Sequence, residues 1–299
     1  MVLLLCTDMG ICSRATVWRQ YIYPHRALNR FSGWVARWHG GRVTTAIIRS
    51  FIRRYGVDMS EAVQPDITVY PSFNAFFTRA LRPDARPIAS AQWVSPVDGA
   101  ISQFGGIEGA HIFQAKGHQY TAQALLGGEA EMAQYYANGY FATLYLSPRD
   151  YHRIHMPCAG RLLRMLHVPG DLFSVNPTTA QYVPGLFARN ERLVCEFEGE
   201  QGRFVLVLVG AAIVGSMATV WHGIVNTDRP QTIRSWDYLQ EQISFTQGQE
   251  MGKFLLGSTV VMLWPSLSDH FLEFAPDWRP EGAVRMGQAM AHYKEPTPV

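Results

Sequence analysis

The chain has 299 residues, of which 47% are apolar and 17% charged. These proportions are ordinary for a folded protein with a sizeable core, and they exclude a low-complexity chain. The net charge of +2 hides an uneven distribution, because the stretch between Met9 and Val57 carries nine arginines and no Asp or Glu. A field of one sign over this length implies an anionic partner, either nucleic acid or an acidic membrane surface.

The cysteines and the apolar runs limit the redox environment and the membrane topology that the protein can have. Cysteines 6, 12, 158 and 195 have no paired metal-ligand spacing, and they are typical of reduced thiols in a cytoplasm-facing protein. The apolar start of the chain is too short for the core of a signal peptide. The longest apolar run, Phe204 to Met217, falls short of the roughly 20 residues of a spanning helix. We therefore predict no metal site and no transmembrane helix.

Residues 16–55 form a basic amphipathic stretch, interrupted at Pro24 and at Gly40. Aromatic and aliphatic residues, among them Trp18, Trp34 and Trp38, alternate with arginines at helical spacing. Trp and Tyr favour the headgroup level of a bilayer, where arginine pairs with phosphate. Nucleic acid is the weaker interpretation, because the aromatic residues share a face with aliphatic ones. The other alternative is a pair of amphipathic helices packed on the protein's own core.

Beyond this stretch the pattern becomes β-rich. Asp58 with Glu61 predicts a helix start, and residues 72–79 predict a short helix. Short β-type runs separated by turn residues follow Trp93. The predicted strands are 100–104, 141–146, 160–168, 193–198, 204–209 and 253–263, and the predicted helices are 122–126, 129–137 and 180–186. The predicted fold class is α+β: N-terminal amphipathic helices in residues 1–57 on a β-rich domain, residues 58–299, of antiparallel or mixed sheets.

The stretch from Phe254 to Met262 is predicted to be a buried strand interrupted by Gly257, Ser258 and Thr259. Glycine inside a strand marks a bulge or a close backbone approach. A serine hydroxyl directly after such a glycine is placed to attack the preceding carbonyl, and the N→O acyl shift gives an ester. Elimination and hydrolysis would then leave a pyruvoyl group at a new N-terminus. Taken by itself, this stretch is better interpreted as a plain β-bulge.

Two upstream motifs accompany this step. Residues 95–99 read Ser-Pro-Val-Asp-Gly, and residues 147–157 read Ser-Pro-Arg-Asp-Tyr-His-Arg-Ile-His-Met-Pro. With Leu-Gly-Ser-Thr at 256–259, these motifs resemble the phosphatidylserine decarboxylase family, especially its short, membrane-associated bacterial form, over nearly the whole chain. The resemblance implies an enzyme of phospholipid biosynthesis that converts phosphatidylserine to phosphatidylethanolamine. It also implies self-cleavage between Gly257 and Ser258, giving a β chain (1–257) and an α chain (258–299).

The resemblance assigns roles to individual residues of this catalytic domain. Ser258 is implied as the nucleophile of self-cleavage and the precursor of the pyruvoyl group, His155 as its base and Asp98 as the orienter of that base. His152 is implied in decarboxylation. Without the resemblance, Asp98 is interpreted as a turn aspartate, His155 as a structural histidine, and His152 as a surface histidine beside Arg149 and Arg153. Residues 170–176 also match a family motif, which makes Phe173 and Ser174 candidate substrate contacts, and residues 210–216 match another.

The chemistry explains why a covalent cofactor is needed. Loss of CO2 from an α-amino acid requires an electron sink, which is usually pyridoxal phosphate bound through a lysine. Lys116 is the one lysine in a motif-like setting, and no glycine-rich phosphate loop accompanies it. The resemblance instead implies a Schiff base between the substrate amine and a pyruvoyl group derived from Ser258. His152 is then the candidate acid that protonates the product carbon.

Two other functions remain open from the residues alone. A membrane-bound serine hydrolase could use Ser258, His155 and Asp98 without self-cleavage, although the chain lacks Gly-x-Ser-x-Gly. A non-catalytic lipid-binding module could bind through the basic amphipathic stretch alone; we call this stretch, residues 16–55, the basic arm. Denaturing electrophoresis separates these alternatives, because only the decarboxylase gives two chains. The expected location is peripheral, on the cytoplasmic face of the inner membrane. The expected partners are phosphatidylserine and an anionic membrane surface, without nucleic acid, and a homodimer is an open alternative.

Overall fold

The computed structural model describes residues 32–211, 216–227 and 230–295. Strands dominate, every pairing between named strands is antiparallel, and the helices are short apart from one near the N-terminus. The predicted α+β class is therefore confirmed. The helices are α1 Arg42–Tyr55, α2 Phe73–Phe77, α3 Ala122–Leu125, α4 Ala130–Tyr135, α5 Pro177–Tyr182 and α6 Leu186–Arg189, with a 3-10 turn at Ile67–Val69.

The strands form one large sheet and three small ones. The strands are β1 Trp93–Val94, β2 Gly99–Gly106, β3 His111–Ala115, β4 His118–Thr121, β5 Tyr140–Leu146, β6 Arg153–His155, β7 Gly160–Val168, β8 Arg192–Gly199, β9 Gly202–Gly210, β10 Met217–Thr219, β11 Gly223–Ile224, β12 Arg234–Asp237, β13 Ser244–Phe245, β14 Glu250–Phe254, β15 Ser258–Trp264, β16 Phe271–Phe274, β17 Ala283–Val284 and β18 Ala289–Lys294. The large sheet has the order β12-β7-β8-β9-β15-β5-β2-β17, with β13 also paired to β7. A second sheet has the order β11-β10-β14-β6.

Strand β15 lies at the centre of the large sheet, between β9 and β5, and all seven of its residues are buried. Val260 and Met262 belong to one hydrophobic core, whereas Val261 and Leu263 belong to another. Successive side chains of a strand point to opposite faces, so β15 separates the two cores. Burial on both faces explains why this strand shows a continuous apolar run instead of an alternating pattern.

Three predicted elements differ from the structure. No helix begins at Asp58; its carboxylate accepts a hydrogen bond from the backbone N–H of Ser60 at 2.8 Å, which forms a local turn. The predicted helix at 180–186 is instead the two helices α5 and α6, because Pro184 cannot donate within a helix and Gly185 has φ +65°. The predicted strand at 253–263 is the end of β14 followed by most of β15, with a bend between them.

The described part of the basic arm packs partly on the protein itself. Residues 32–37 are helical, and α1 buries Thr44, Ile48 and Phe51 at the helical spacing of one face. Phe51 contacts the aromatic side chains of α2. For this face of α1, the structure therefore supports packing on the protein's own core. Residues 16–31 of the predicted arm lie outside the described residues.

Another part of the arm faces outward. Trp34 and Trp38 stack at a centroid distance of 6.5 Å and are 59% and 43% exposed. The arginines of this region, Arg37, Arg42, Arg49, Arg53 and Arg54, are also exposed. Within the described ranges, no helix has the length and hydropathy that crossing a bilayer requires.

Candidate active site

One end of the large sheet gathers the motif residues. Ser258 opens β15 and lies opposite Leu146, the last residue of β5, and Gly210, the last residue of β9. On the other side of β5, Ala100 pairs with Tyr145, which brings the start of β2 to the same end of the sheet. Adjacent strands are about 4.8 Å apart, so the residues flanking β2, β5, β9 and β15 form one compact row.

The Gly257–Ser258 bond lies in the bend that links two sheets. Residues 255–257 join β14 of the four-stranded sheet to β15 of the large sheet, so this step is not a bulge inside a single strand. Gly257 has φ +52°, a conformation that L side chains rarely adopt. Ser258 is fully buried, and its Oγ has no hydrogen-bond partner among the described residues. The hydroxyl of the nucleophile predicted from the sequence therefore has no hydrogen bond to any residue that the structure describes.

His152 lies next to this bend. The backbone N–H of Phe254 donates to the His152 carbonyl at 3.0 Å, which places the histidine beside the last residue of β14. Its ring packs on Phe77 at a centroid distance of 4.0 Å, and Nδ1 bonds the Asp150 carbonyl at 2.8 Å. Its Nε2 has no partner within the part of the chain that the structure describes. Burial lowers the pKa of His152 to about 3, so the imidazole is neutral at physiological pH.

His155 is held by two hydrogen bonds at the opposite end of β14. Nδ1 is 2.7 Å from the Gly248 carbonyl, so this nitrogen carries the proton of the neutral ring. Nε2 is then an acceptor, and the Tyr151 hydroxyl donates to it at 3.0 Å. Burial lowers the pKa of His155, which favours the neutral form that a general base requires.

Asp98 is engaged by Arg86 rather than by His155. The Arg86 Nε donates to Asp98 at 2.8 Å, and the backbone N–H of Met286 donates to the same carboxylate at 2.8 Å. Arg86 also binds Glu61 at 2.8 Å. Among the described contacts of Asp98 there is none with His155, although the His155 N–H bonds the Pro96 carbonyl two residues away at 2.9 Å. Ser258 and Asp98 therefore lie at the same end of the large sheet, whereas His155 lies on β6 of the four-stranded sheet, opposite Glu250. Among the described residues, no continuous hydrogen-bonded relay joins the three.

Gly99 explains how Asp98 reaches this position. A Cβ at residue 99 would lie 2.3 Å from the carbonyl oxygen of Tyr145 on the neighbouring strand. Only glycine permits this close approach, so the Asp-Gly pair brings the carboxylate to the start of β2. Glycine at position 99 is therefore required by close packing against β5, and not only by the turn that the sequence predicts.

Comparisons with known proteins bear on this arrangement. A family model described as phosphatidylserine decarboxylase matches residues 73–292, and one described as PSD matches residues 15–56. The chain is 66% identical to the phosphatidylserine decarboxylase proenzyme of Methylibium petroleiphilum, over 93% of this chain and 97% of that protein. The chain belongs to the phosphatidylserine decarboxylase family. It is also 64% identical to the proenzyme of Variovorax paradoxus, over 93% and 98% of the two chains, and 63% identical to that of Azoarcus sp., over 95% and 98%.

Membership of a family of proenzymes gives meaning to the position of residues 258–299. This segment supplies the central strand β15 and also β16, β17 and β18, which pair with one another or with strands from before Gly257. Hydrogen bonds and two hydrophobic cores therefore join the segment to the rest of the protein. After a break at Gly257–Ser258, these contacts would keep the two fragments associated.

The decarboxylase motif at 170–176 is tied to the same end of the sheet through Asn190. Its side-chain amide donates to the carbonyls of Phe173 and Gly210, each at 2.9 Å, and accepts from the Phe173 N–H at 3.2 Å. Phe173 is buried, and Ser174 is half-buried. Because Gly210 lies opposite Ser258, Asn190 positions the loop of the two candidate substrate contacts. Of the motif at 210–216, residues 212–215 lie outside the described residues.

Several site residues were not found from the sequence. Arg86 and Asn190 contact predicted residues from outside the motifs, and no spacing pattern connects them. Tyr151 lies within the 147–157 motif, four residues before His155, but its contact with that histidine was not predicted. Lys116, the one lysine considered for pyridoxal phosphate, is exposed in the turn between β3 and β4, with its Nζ 4.6 Å from the centroid of the Tyr182 ring. Groups of three or more metal-ligating side chains are absent from the described ranges.

Proposed function

We propose that the protein decarboxylates phosphatidylserine to phosphatidylethanolamine and that it matures by breaking its own Gly257–Ser258 bond. The observation that supports this most strongly is the position of Ser258. It follows a glycine with positive φ, lies in a buried bend, and has a hydroxyl without a partner among the described residues. The family relationship supports the reaction, and this geometry supports Ser258 as the reactive residue.

The proposed maturation at Ser258 has four steps: an N→O acyl shift, an elimination, a tautomerisation and a hydrolysis. His155 takes the proton of Oγ, and Oγ attacks the Gly257 carbonyl carbon. The C–N bond then breaks, the imidazolium returns its proton to the freed Ser258 nitrogen, and an ester forms. Loss of the Ser258 α-proton expels the Gly257 carboxylate as the new end of the β chain. The resulting enamine tautomerises to an imine, and water releases ammonia from it. In this scheme, Asp98 favours the protonated imidazole electrostatically.

The residues at this position fit a pyruvoyl group made from Ser258, because the serine side chain is not committed to structural hydrogen bonds among the described residues. The carbonyl of that group would supply the sink for the electron pair left by CO2. The Nε2 of His152 is buried beside the bend and unprotonated in the neutral ring, so it would first accept a proton from the ammonium group of the arriving substrate and then deliver it to the α-carbon. The apolar surroundings of Phe77 and Phe254 would exclude water and favour loss of charge from the carboxylate.

Intact mass and a lipid assay test the function together. The purified protein should consist of two fragments, 1–257 and 258–299, the smaller blocked at its N-terminus by a pyruvoyl group. It should release CO2 from phosphatidylserine, and hydroxylamine should inactivate it. An active protein that remains a single chain of 33.7 kDa would contradict self-cleavage. Hydrolysis of an ester substrate without release of CO2 would favour the serine hydrolase.

The two histidines are tested by separate readouts. We expect His155→Ala and Asp98→Ala to remain uncleaved, and His152→Ala to cleave while decarboxylating poorly. The hydrogen bond between Phe254 and His152 lies at the end of β14 next to the bend, whereas His155 lies opposite Glu250 at the far end of β14. His152 is therefore nearer to the bend than His155. If His152→Ala blocked cleavage and His155→Ala did not, the two roles would be exchanged.

We also propose that the arm places the enzyme on the cytoplasmic face of the membrane. The support is the exposed Trp34–Trp38 stack surrounded by exposed arginines. A two-chain lipid resists extraction by about 0.8 kcal/mol for each CH2 group, so the enzyme must work at the surface. Each arginine near an anionic leaflet contributes on the order of 1 kcal/mol before screening.

Vesicle flotation of the full chain tests this location. Removal of the whole arm would expose the core contacts of α1, so the informative variant is Trp34→Ala/Trp38→Ala. It should float on anionic vesicles at low salt but lose binding at about 1 M salt, where the electrostatic contribution is screened. Phe51→Ala is not a suitable control, because Phe51 is buried. Equal flotation of the variant and the parent at high salt would exclude these two side chains as the anchor.

A further inference from the structure

Arg79 is a buried cation beside the candidate site. It follows the end of α2 and is only 4% exposed. Its Nη2 donates to the Arg149 carbonyl at 3.2 Å, and its guanidinium lies 5.4 Å from the centroid of the Phe76 ring. Its Nε has no partner among the described residues. Burial lowers the pKa of Arg79, which indicates that its surroundings do not fully compensate its charge.

The other buried arginines of the described chain are satisfied. Arg86 forms ion pairs with Asp98 and Glu61. Arg192 donates to three backbone carbonyl groups. Arg79 makes one such bond, and within the described ranges no carboxylate lies at ion-pair distance from it. A buried guanidinium left with unused donors is costly, so its retention points to an anion that is not part of the protein.

Arg79 points to the loop that carries His152. Its guanidinium bonds the carbonyl of Arg149, and His152 Nδ1 bonds the next carbonyl, that of Asp150. Successive Cα atoms are about 3.8 Å apart, so the two side chains converge on neighbouring peptide units. The charge of Arg79 also contributes to the low pKa of His152, after burial. A ligand that reaches His152 therefore lies close to the free donors of Arg79.

We propose that Arg79 binds the phosphodiester of the phospholipid substrate. This inference rests on the proposed decarboxylation of phosphatidylserine, whose headgroup has two anions. The carboxylate loses its charge in the transition state, so an ion pair to it would stabilise the substrate more than the transition state. The phosphodiester keeps its charge throughout. It is separated from the reacting carbon by one methylene and one oxygen, and guanidinium pairs with phosphate oxygens in bidentate geometry.

Kinetics on micellar dihexanoyl phosphatidylserine test the proposal. Arg79→Gln removes the charge, and we expect KM to rise about tenfold to a hundredfold while self-cleavage continues. Arg79→Lys keeps the positive charge but loses the bidentate geometry of the guanidinium group, so its KM should rise less. Arg82→Gln is the matched control, because Arg82 is an exposed arginine of the same segment. An unchanged KM in Arg79→Gln would overturn the proposal.

A pair of inhibitors separates phosphate binding from a structural role. Dihexanoyl phosphatidylethanolamine carries the phosphodiester, whereas hexyl 2-aminoethyl ether has the same amine without phosphate. Arg79→Gln should weaken inhibition by the first at least tenfold and change inhibition by the second less than twofold. Equal weakening of both would mean that Arg79 only supports the loop, which also overturns the proposal. If Arg79→Gln fails to fold, the same comparison is made with Arg79→Lys, for which only the phosphate-bearing inhibitor should weaken.

These outcomes are distinct from failure of the proposed function. If the parent protein is not cleaved or releases no CO2, the decarboxylase function itself is wrong. If the parent is active and Arg79→Gln behaves like the parent, only the assignment of the phosphodiester to Arg79 is wrong.

Discussion

Ser258 and Asp98 lie at the same end of the large sheet, yet their side chains are in opposite situations. Ser258 and nearby His152 are buried, with reactive atoms that lack partners among the described residues. Asp98 and His155 are fully engaged, the first by Arg86 and Met286, the second by Gly248 and Tyr151. The uncut chain therefore combines an unengaged nucleophile with a base and a carboxylate that are bound elsewhere.

This difference indicates what controls maturation. The serine needs no structural bond to break, since its hydroxyl stabilises nothing in the described fold. If His155 is the base, as we propose, it must exchange Tyr151 for the serine at Nε2 before it can accept the proton. Asp98 is held in place by a buried ion pair, so in this proposal it would act on His155 through space rather than through a shared proton. The rate of self-cleavage should accordingly depend on the partners of His155 and Asp98 more than on those of Ser258.

The largest expected effect is at Ser258. Ser258→Ala removes the nucleophile, so the protein should remain one chain and release no CO2, as measured by denaturing electrophoresis and a radiolabelled lipid assay. Thr259→Val is the matched control, because Thr259 is the adjacent buried residue and its Oγ1 also lacks a partner among the described residues. Loss of such a hydroxyl is nearly neutral, so this variant should cleave. Cleavage of Ser258→Ala at the same bond would remove Ser258 from the mechanism.

The contrast between these residues also shows which features of the fold and of the candidate site can be predicted from the sequence. Strand β7 was predicted with its observed bounds, 160–168, because its ends are marked by local turn residues. The split at 255–257 was missed, since a buried strand with a bulge and two strands in different sheets have the same apolar pattern. The roles of the motif residues were predicted from the resemblance to a family, which short local stretches of sequence carry. Arg86 lies outside these stretches, and Tyr151 lies within one, but the contacts of both depend on the fold and were not predicted.

The second effect concerns the ion pair that holds Asp98. Arg86→Met leaves a buried carboxylate without its cation, and the free energy of unfolding should fall by about 3–5 kcal/mol in urea denaturation. Arg86→Met/Asp98→Asn should recover part of this loss, because the uncompensated charge is gone. Arg82→Met, at an exposed position, should change stability by less than about 0.5 kcal/mol. An Arg86→Met protein as stable as the parent would show that the pair does not fix Asp98.

A smaller effect follows from the buried neutral His152. The unfolded chain binds this proton near pH 6.5, whereas the folded protein resists it down to about pH 3. Between these values the unfolded state binds more protons, so stability falls as the pH falls, by about 1.4 kcal/mol per pH unit at most. His152→Gln should lose this slope between pH 6.5 and 5 in urea denaturation. His155 is present in both proteins, so its own lowered pKa cancels in the difference.

The smallest effect tests whether the engagement of His155 limits maturation. Tyr151→Phe removes the hydroxyl that donates to Nε2 and leaves the buried ring in place. If the tyrosine competes with Ser258 for this nitrogen, its removal saves one hydrogen bond of about 1 kcal/mol, and self-cleavage should become about fivefold faster. The rate is measured by a pulse-chase of newly made protein on denaturing gels. Slower cleavage would mean that the Tyr151 hydroxyl passes the proton from Ser258 to His155, and the hydrogen bond would then be part of the catalytic path rather than a restraint on it.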